Sequence, residues 1–138
     1  MTDYSIVNAD EVEDAYAESD VPGEFRSLSE PLGAEQVAVT LIRIPPHSDF
    51  EQGTGHLHEE IEEVYLVTKG TLTMRFGDEI ETVGPGTAVR VAPRTVRSHR
   101  NEGDVPVEMW AISPANESDR GEKVEDFWEA SPAADQQR

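Results

Sequence analysis

Apolar residues in the middle of this chain recur at every second position, in short runs cut by glycine and proline. "QVAVTLIRIP" (36–45) is rich in Val, Ile and Leu and stops at a proline, which reads as a strand. "EEVYLVTKG" (62–70) reads as another, with Glu63, Tyr65 and Val67 on one face. It turns at Lys69-Gly70 into "TLTMRFG" (71–77), where Leu72, Met74 and Phe76 alternate with polar residues. A hairpin turn at Gly77-Asp78 and a break at Gly84-Pro85-Gly86 follow. "TAVRVAP" (87–93), "TVRSHRN" (95–101) and "PVEMWAIS" (106–113) are further strands. Arg75 and Arg90 alternate with apolar neighbours and are expected on solvated outer faces. Seven or more short strands, separated by turn residues and with little helix, predict an all-β sandwich or barrel over 36–113.

The flanks differ. Residues 1–35 form a polar, acidic extension with turn signals at Pro22-Gly23 and Pro31-Leu32-Gly33, expected to hold a short helix near 10–18 and a strand near 24–28. In residues 114–138, Val124, Phe127 and Trp128 fall at helical spacing, which predicts a short amphipathic C-terminal helix packed on the barrel. "AADQQR" reads as a frayed tail.

Composition narrows the partners. A chain of 138 residues fits one domain with a proper core, and the absence of cysteine excludes disulfides and thiolate metal sites. The net charge of −18 argues against nucleic acid and anionic membranes as partners. The N-terminus lacks the apolar core of a signal peptide, and no apolar run approaches the roughly 18 residues of a membrane span. The expectation is a soluble, cytoplasmic protein. Its 29 acidic residues face 11 basic ones, of which only Lys69 and Lys123 are lysines. That balance suits a high-salt cytoplasm, where the Debye length falls to about 3 Å at 1 M.

Candidate chemistry lies in "GHLHEEIEEVYLVTKG" (55–70). Side chains two apart on a strand share a face, so His56 and His58 would stand about 7 Å apart on one wall. Two imidazoles and a carboxylate can hold Fe, Mn, Zn or Ni, and with open positions they form the facial triad of non-haem iron oxygenases. All four histidines (His47, His56, His58, His99) lie in or beside this stretch and "RVAPRTVRSHRNEGDVPVEMW" (90–110). His47, in "IPPHSD", reads as a solvated loop residue, and Tyr65 as either a core aromatic or a pocket wall against substrate.

"HLHEEIEEVYLVTKG" resembles the first motif of the cupins: H-x-H, three or four residues, Glu, six residues, Gly. The resemblance carries His56, His58 and Glu63 onto metal ligands and Gly70 onto the turn glycine, whereas Phe50 stands where a glycine is expected six residues before the first His. "GPGTAVRVAPRTVRSHRNEGDVPVEMWAI" resembles the second motif at Pro85-Gly86 and Asn101. The resemblance implies a cupin double-stranded β-helix, a jelly-roll barrel, and commonly a homodimer.

One position departs. Arg97 stands four residues before Asn101, where the family places its third histidine, and Arg94 replaces a motif glycine. Arginine offers no lone pair to a metal. Three arrangements are open. His99, on the face of Arg97, is a displaced fourth ligand. Alternatively, His56, His58 and Glu63 hold the ion alone while Arg97 grips an anionic substrate. In the third, no metal binds and Arg97 neutralises Glu63 or Glu62. The functional expectation is a cupin with a divalent metal site, binding or transforming a small, anionic organic molecule. The alternative is a metal-free ligand-binding or regulatory module in which Arg97 replaces the metal's charge. No Ser-His-Asp, P-loop or dinucleotide motif suggests another mechanism.

The charge balance carries its own test. Screening should relieve self-repulsion among the acidic residues, so the melting temperature should rise by several degrees between 0.1 M and 2 M KCl. A melting temperature indifferent to salt contradicts the high-salt reading.

Overall fold

The computed structural model describes residues 3–128. In chain order its strands are β1 (Glu24–Ser27), β2 (Val37–Ile44), β3 (Gly55–Leu57), β4 (Glu63–Lys69), β5 (Leu72–Phe76), β6 (Glu79–Val83), β7 (Ala88–Val91), β8 (Arg97–Arg100), β9 (Val107–Pro114) and β10 (Glu122–Val124). They form two five-stranded antiparallel sheets, ordered β1-β2-β9-β4-β7 and β10-β3-β8-β5-β6. Among the described residues, helix is confined to a 3-10 turn at Ala9–Glu11 and a four-residue turn, α1 (Ser29–Leu32).

The period-2 pattern fills the space between the sheets. Ile42 and Ile44 of β2, Tyr65 and Val67 of β4, Leu72 and Met74 of β5, and Val107 and Met109 of β9 form one buried cluster. Leu41 belongs to a second cluster, with Val12 and Leu28 and with Trp110 packed against it. The N-terminal segment thus covers part of the outer face of the first sheet, which is why β2 is apolar on both faces. Gly70 ends β4 at φ +75, and a Cβ there would lie 2.4 Å from the Pro106 carbonyl oxygen, so the turn into β5 needs glycine.

Three expectations need correction. No helix spans 10–18: the Asp14 carboxylate accepts the backbone N–H groups of Tyr16 and Phe25, both at 2.9 Å, and this local side-chain bonding competes with helix. The described part of the C-terminal segment is not helical either. Glu122–Val124 pairs with β3 as β10, and residues 125–128 form a turn with Asp126 at φ 52. The unpaired edge of β3 competes for this segment, and its aromatic residues reach the sheet through the turn instead of a helical face. The tail from residue 129 lies outside the described residues.

Arg75 is the third correction. It is 2% exposed, with its guanidinium 4.4 Å from the Phe127 ring centroid and Nε donating to the Gly77 carbonyl at 2.7 Å. The turn after β10 covers the face of β5 that the alternation assigned to solvent. Arg90 is exposed as expected and pairs with Glu62. His47 is exposed and lies 2.7 Å from Asp104.

Asn101 ties the loop after β2 to the loop before β9. Its buried amide donates to the carbonyls of Ile44 (3.1 Å) and Val105 (2.8 Å), and its oxygen accepts from Gly103 N (3.0 Å). Asn101→Ala would strand these groups, at roughly 1–3 kcal/mol for each one left buried and unpaired. Urea unfolding should show a loss of about 2–4 kcal/mol; a loss below about 0.5 kcal/mol would contradict this account.

Candidate metal centre

His56 lies in β3, His58 just beyond its end, and Glu63 at the start of β4 on the facing sheet. The sandwich brings the three together. His56 Nε2 and His58 Nε2 each lie 3.9 Å from the same carboxylate oxygen, Glu63 Oε1, and the three ligand atoms all fall within 4.8 Å of one another. The two rings are nearly perpendicular, with centroids 5.3 Å apart.

Each imidazole is held from behind. His58 Nδ1 lies 3.0 Å from the Asp119 carbonyl oxygen, and a carbonyl only accepts, so Nδ1 carries the proton. In the neutral ring Nε2 then keeps its lone pair for the site. His56 Nδ1 lies 3.1 Å from Glu51 Oε2, which fixes that ring in the same sense. The Asp119 carboxylate accepts the backbone N–H groups of Glu59 (3.0 Å), Glu60 (2.7 Å) and Ile61 (3.0 Å), clamping the loop between His58 and Glu63. Burial alone would raise the Asp119 pKa, but these donors bring it below the ordinary value. Gly121, at φ +103, lets the chain pass under both rings: a Cβ there would lie 3.2 Å from His58 Cε1.

Arg97 pairs in register with His56 across β3 and β8 and is 0% exposed. Its Nη2 donates to Glu63 Oε1 at 2.8 Å, Nε to the Tyr65 hydroxyl at 3.3 Å, and Nη1 to the Thr95 carbonyl at 3.0 Å. Tyr65 in turn donates to Glu63 Oε1. Burial pushes the Glu63 pKa up, and the contacts with His56, Tyr65 and Arg97 outweigh it, holding the carboxyl down at about 2. Burial pushes the His56 pKa down, and Glu51 and Glu63 outweigh it, raising the imidazole to about 9 in the metal-free protein. Tyr65 stays protonated, because burial and the Glu63 charge raise its pKa well above the ordinary value.

A cavity of about 1070 Å³ opens over the two imidazoles, Glu63 and Tyr65. Tyr65 is thus both core and wall. Arg97 does not line this cavity; it lies behind Glu63 and Tyr65, and the expected grip on a ligand carboxylate is not what this geometry offers. His99 stands apart from the His56–His58–Glu63 group. It stacks on Phe50 at 4.6 Å between centroids, and its Nδ1 lies 2.8 Å from Glu51 Oε1. That is an ion-pair distance without hydrogen-bond alignment, so Glu51 Oε1 and both His99 nitrogens are buried without a hydrogen-bond partner.

The donor set fits a divalent ion. Two imidazoles whose Nε2 atoms face one carboxylate suit Fe, Mn, Zn or Ni once an ion displaces the His56 proton, and the cluster could hold such an ion. Both imidazoles and the carboxylate also have the outer hydrogen bonds that metal ligands normally have. The sequence reading missed Glu51, Asp119 and Gly121. Glu51 lies outside the two motif stretches and Asp119 lies 61 residues from His58, so neither had a local pattern to mark it.

The cupin domain family matches residues 40–113, more than half of the chain, and the chain belongs to that family. No curated protein matches it. Among solved structures it is similar to the polyketide cyclase RemF from Streptomyces resistomycificus: 18% identity over 97% of this chain and 93% of that one, TM-score 0.70. It is also similar to a cupin-superfamily sugar phosphate isomerase from Silicibacter pomeroyi (17% identity, 93% and 96% covered, TM-score 0.68). A protein from Acidithiobacillus ferrooxidans shares 24% identity with a TM-score of 0.61; the match covers 68% of this chain but only 60% of that longer one. At these identities the likeness is one of fold.

The pKa shifts predict a pH window for the metal-free protein. Glu51 and Glu63 are held at about 2 against an ordinary 4.5, so their contribution is complete above about 4.5 and is lost as pH falls toward 2. For Glu51, burial works against the shift and His99 and His56 outweigh it. His56 is raised from 6.5 to about 9, so its contribution is complete below 6.5 and is lost as pH rises to 9. The melting temperature without metal should peak between about pH 4.5 and 6.5. A rise from pH 6.5 to 9 contradicts the assignment.

Proposed function

We propose that this protein is a divalent-metal cupin in which His56, His58 and Glu63 hold the ion and leave its remaining positions open to a small organic molecule in the cavity. The observation that carries this reading is the anchoring of both imidazoles at Nδ1, which aims both Nε2 atoms at one carboxylate oxygen. An ion held there supplies Lewis-acid polarisation of a ligand oxygen. Glu51 and the Asp119 carbonyl orient the histidines, and Arg97 and Tyr65 orient Glu63. The similar structures include a polyketide cyclase and a sugar phosphate isomerase. One fold hosts such different chemistries, so the reading takes the site from this chain's own residues and no reaction from the similar structures.

One observation favours a second reading. Arg97 and Tyr65 both donate to Glu63 Oε1, so the carboxylate already has a counter-charge and two hydrogen bonds without an ion. On that reading Arg97 replaces the metal and the barrel is a metal-free binding module.

Elemental analysis of protein purified without a metal column, followed by calorimetric titration of Zn(II) and Mn(II), separates the two. The metal reading predicts binding by wild type, loss of about 100-fold or more in His58→Ala, and tighter binding in Arg97→His, which adds an imidazole and removes a positive charge. The metal-free reading predicts no metal in either protein, and a destabilisation of roughly 3–5 kcal/mol in Arg97→His as Glu63 loses its partner. Wild type without metal affinity overturns the first reading.

A further inference from the structure

One part of the cavity wall carries an aromatic row. Away from His56, His58 and Glu63 the wall includes Tyr16, Phe25, Ile42 and Phe50, set among small polar residues such as Ser27, Thr40 and Ser113. Tyr16 lies 5.4 Å from Phe25 and 6.4 Å from Phe50 between centroids, tilted in both cases, and Phe50 continues the row onto His99 at 4.6 Å. Tyr16 and Phe25 are only half-buried, so their rings present surface to the cavity. Tyr16 comes from the N-terminal segment and is fixed by the Asp14 carboxylate, which caps the backbone N–H of both Tyr16 and Phe25.

Charge on the wall points the same way. Among the described residues five carboxylates line the cavity, of which Glu63 is matched by Arg97, Glu51 by His56 and His99, and Asp119 by backbone N–H groups; that leaves Glu30 and Glu117 beside a single arginine, Arg120. Arg97, the buried counter-charge of Glu63, is not on the wall. A phosphorylated sugar carries about two negative charges at neutral pH, and its ring is edged with hydroxyls. Its phosphate would meet repulsion from Glu30 and Glu117, and its ring would cover the aromatic row less fully than a flat aromatic one. A flat aromatic ring would stack there, as aromatic side chains do with one another.

We propose that the cavity selects a planar aromatic molecule of little or no charge, its ring against Tyr16, Phe25 and Phe50 and its oxygen substituents toward His56, His58 and Glu63. This rests on the cavity reading of the function and names its ligand class. A molecule with two adjacent oxygens would chelate an ion at the histidines while its ring lies on the aromatic row.

Equilibrium dialysis with three probes tests this. 2-Naphthol has one hydroxyl and cannot chelate, so it reports the aromatic row in metal-free protein. It should bind wild type and Tyr16→Phe alike, and Tyr16→Leu or Phe25→Leu about 5- to 10-fold more weakly. Glucose 6-phosphate should not bind at millimolar concentration with or without Zn(II). 2,3-Dihydroxynaphthalene should bind Zn(II)-loaded protein more tightly than 2-naphthol does. If the metal reading fails, only that last gain disappears, and the dependence on Tyr16 remains. No binding of 2-naphthol, equal binding by Tyr16→Leu and wild type, or tighter binding of glucose 6-phosphate overturns the proposal.

Discussion

A carboxylate inside a protein must be matched, and the site is organised around matching Glu63. An unpaired buried charge costs several kcal/mol. Here the charge meets an arginine with no exposed surface and a tyrosine hydroxyl on one oxygen, with two imidazoles converging on that same atom. Arg97 takes its place from register, because β8 pairs with β3 and sets it opposite His56. Its other two nitrogens donate to Thr95 and Tyr65, so each nitrogen of the cation has a partner. The two imidazoles thus converge on a carboxylate that is held ionised and still.

The imidazoles depend on a second layer of the same kind. Glu51 reaches His56 from the loop after β2, while Asp119 reaches His58 from the segment before β10. Both anchors lie outside β3. The sandwich supplies two rigid walls, and a loop on each side of β3 in the chain holds the rings between them. Arg75 and Phe127 show the same wrapping on the back of β5, where a cation lies under an aromatic ring rather than in water.

How far the sequence could be read follows from the range of each interaction. Most of the strands were legible because alternation is a property of neighbours, and His56, His58 and Glu63 because eight positions contain all three. Arg97 was conspicuous as an intruder, yet its role needed the third dimension, since Glu63 is 34 residues away. Arg75 was misassigned because its cover comes from Phe127, 52 residues on. The C-terminal helix failed for a related reason. Apolar spacing there matched a helix, but the open edge of β3, nearly 70 positions earlier, claimed the segment as a strand.

The pairing of β10 with β3 also bears on where the working unit ends. The stretch that identifies the family closes at residue 113, and the last strand of its sheet at Pro114. The carbonyl that fixes the tautomer of His58, the clamp on residues 59–61 and the glycine beneath the two rings all come later, at 119–121. A fragment trimmed to the family boundary would retain His56, His58 and Glu63 but not the parts that aim His58. The stretch of chain that builds the site is therefore longer than its signature.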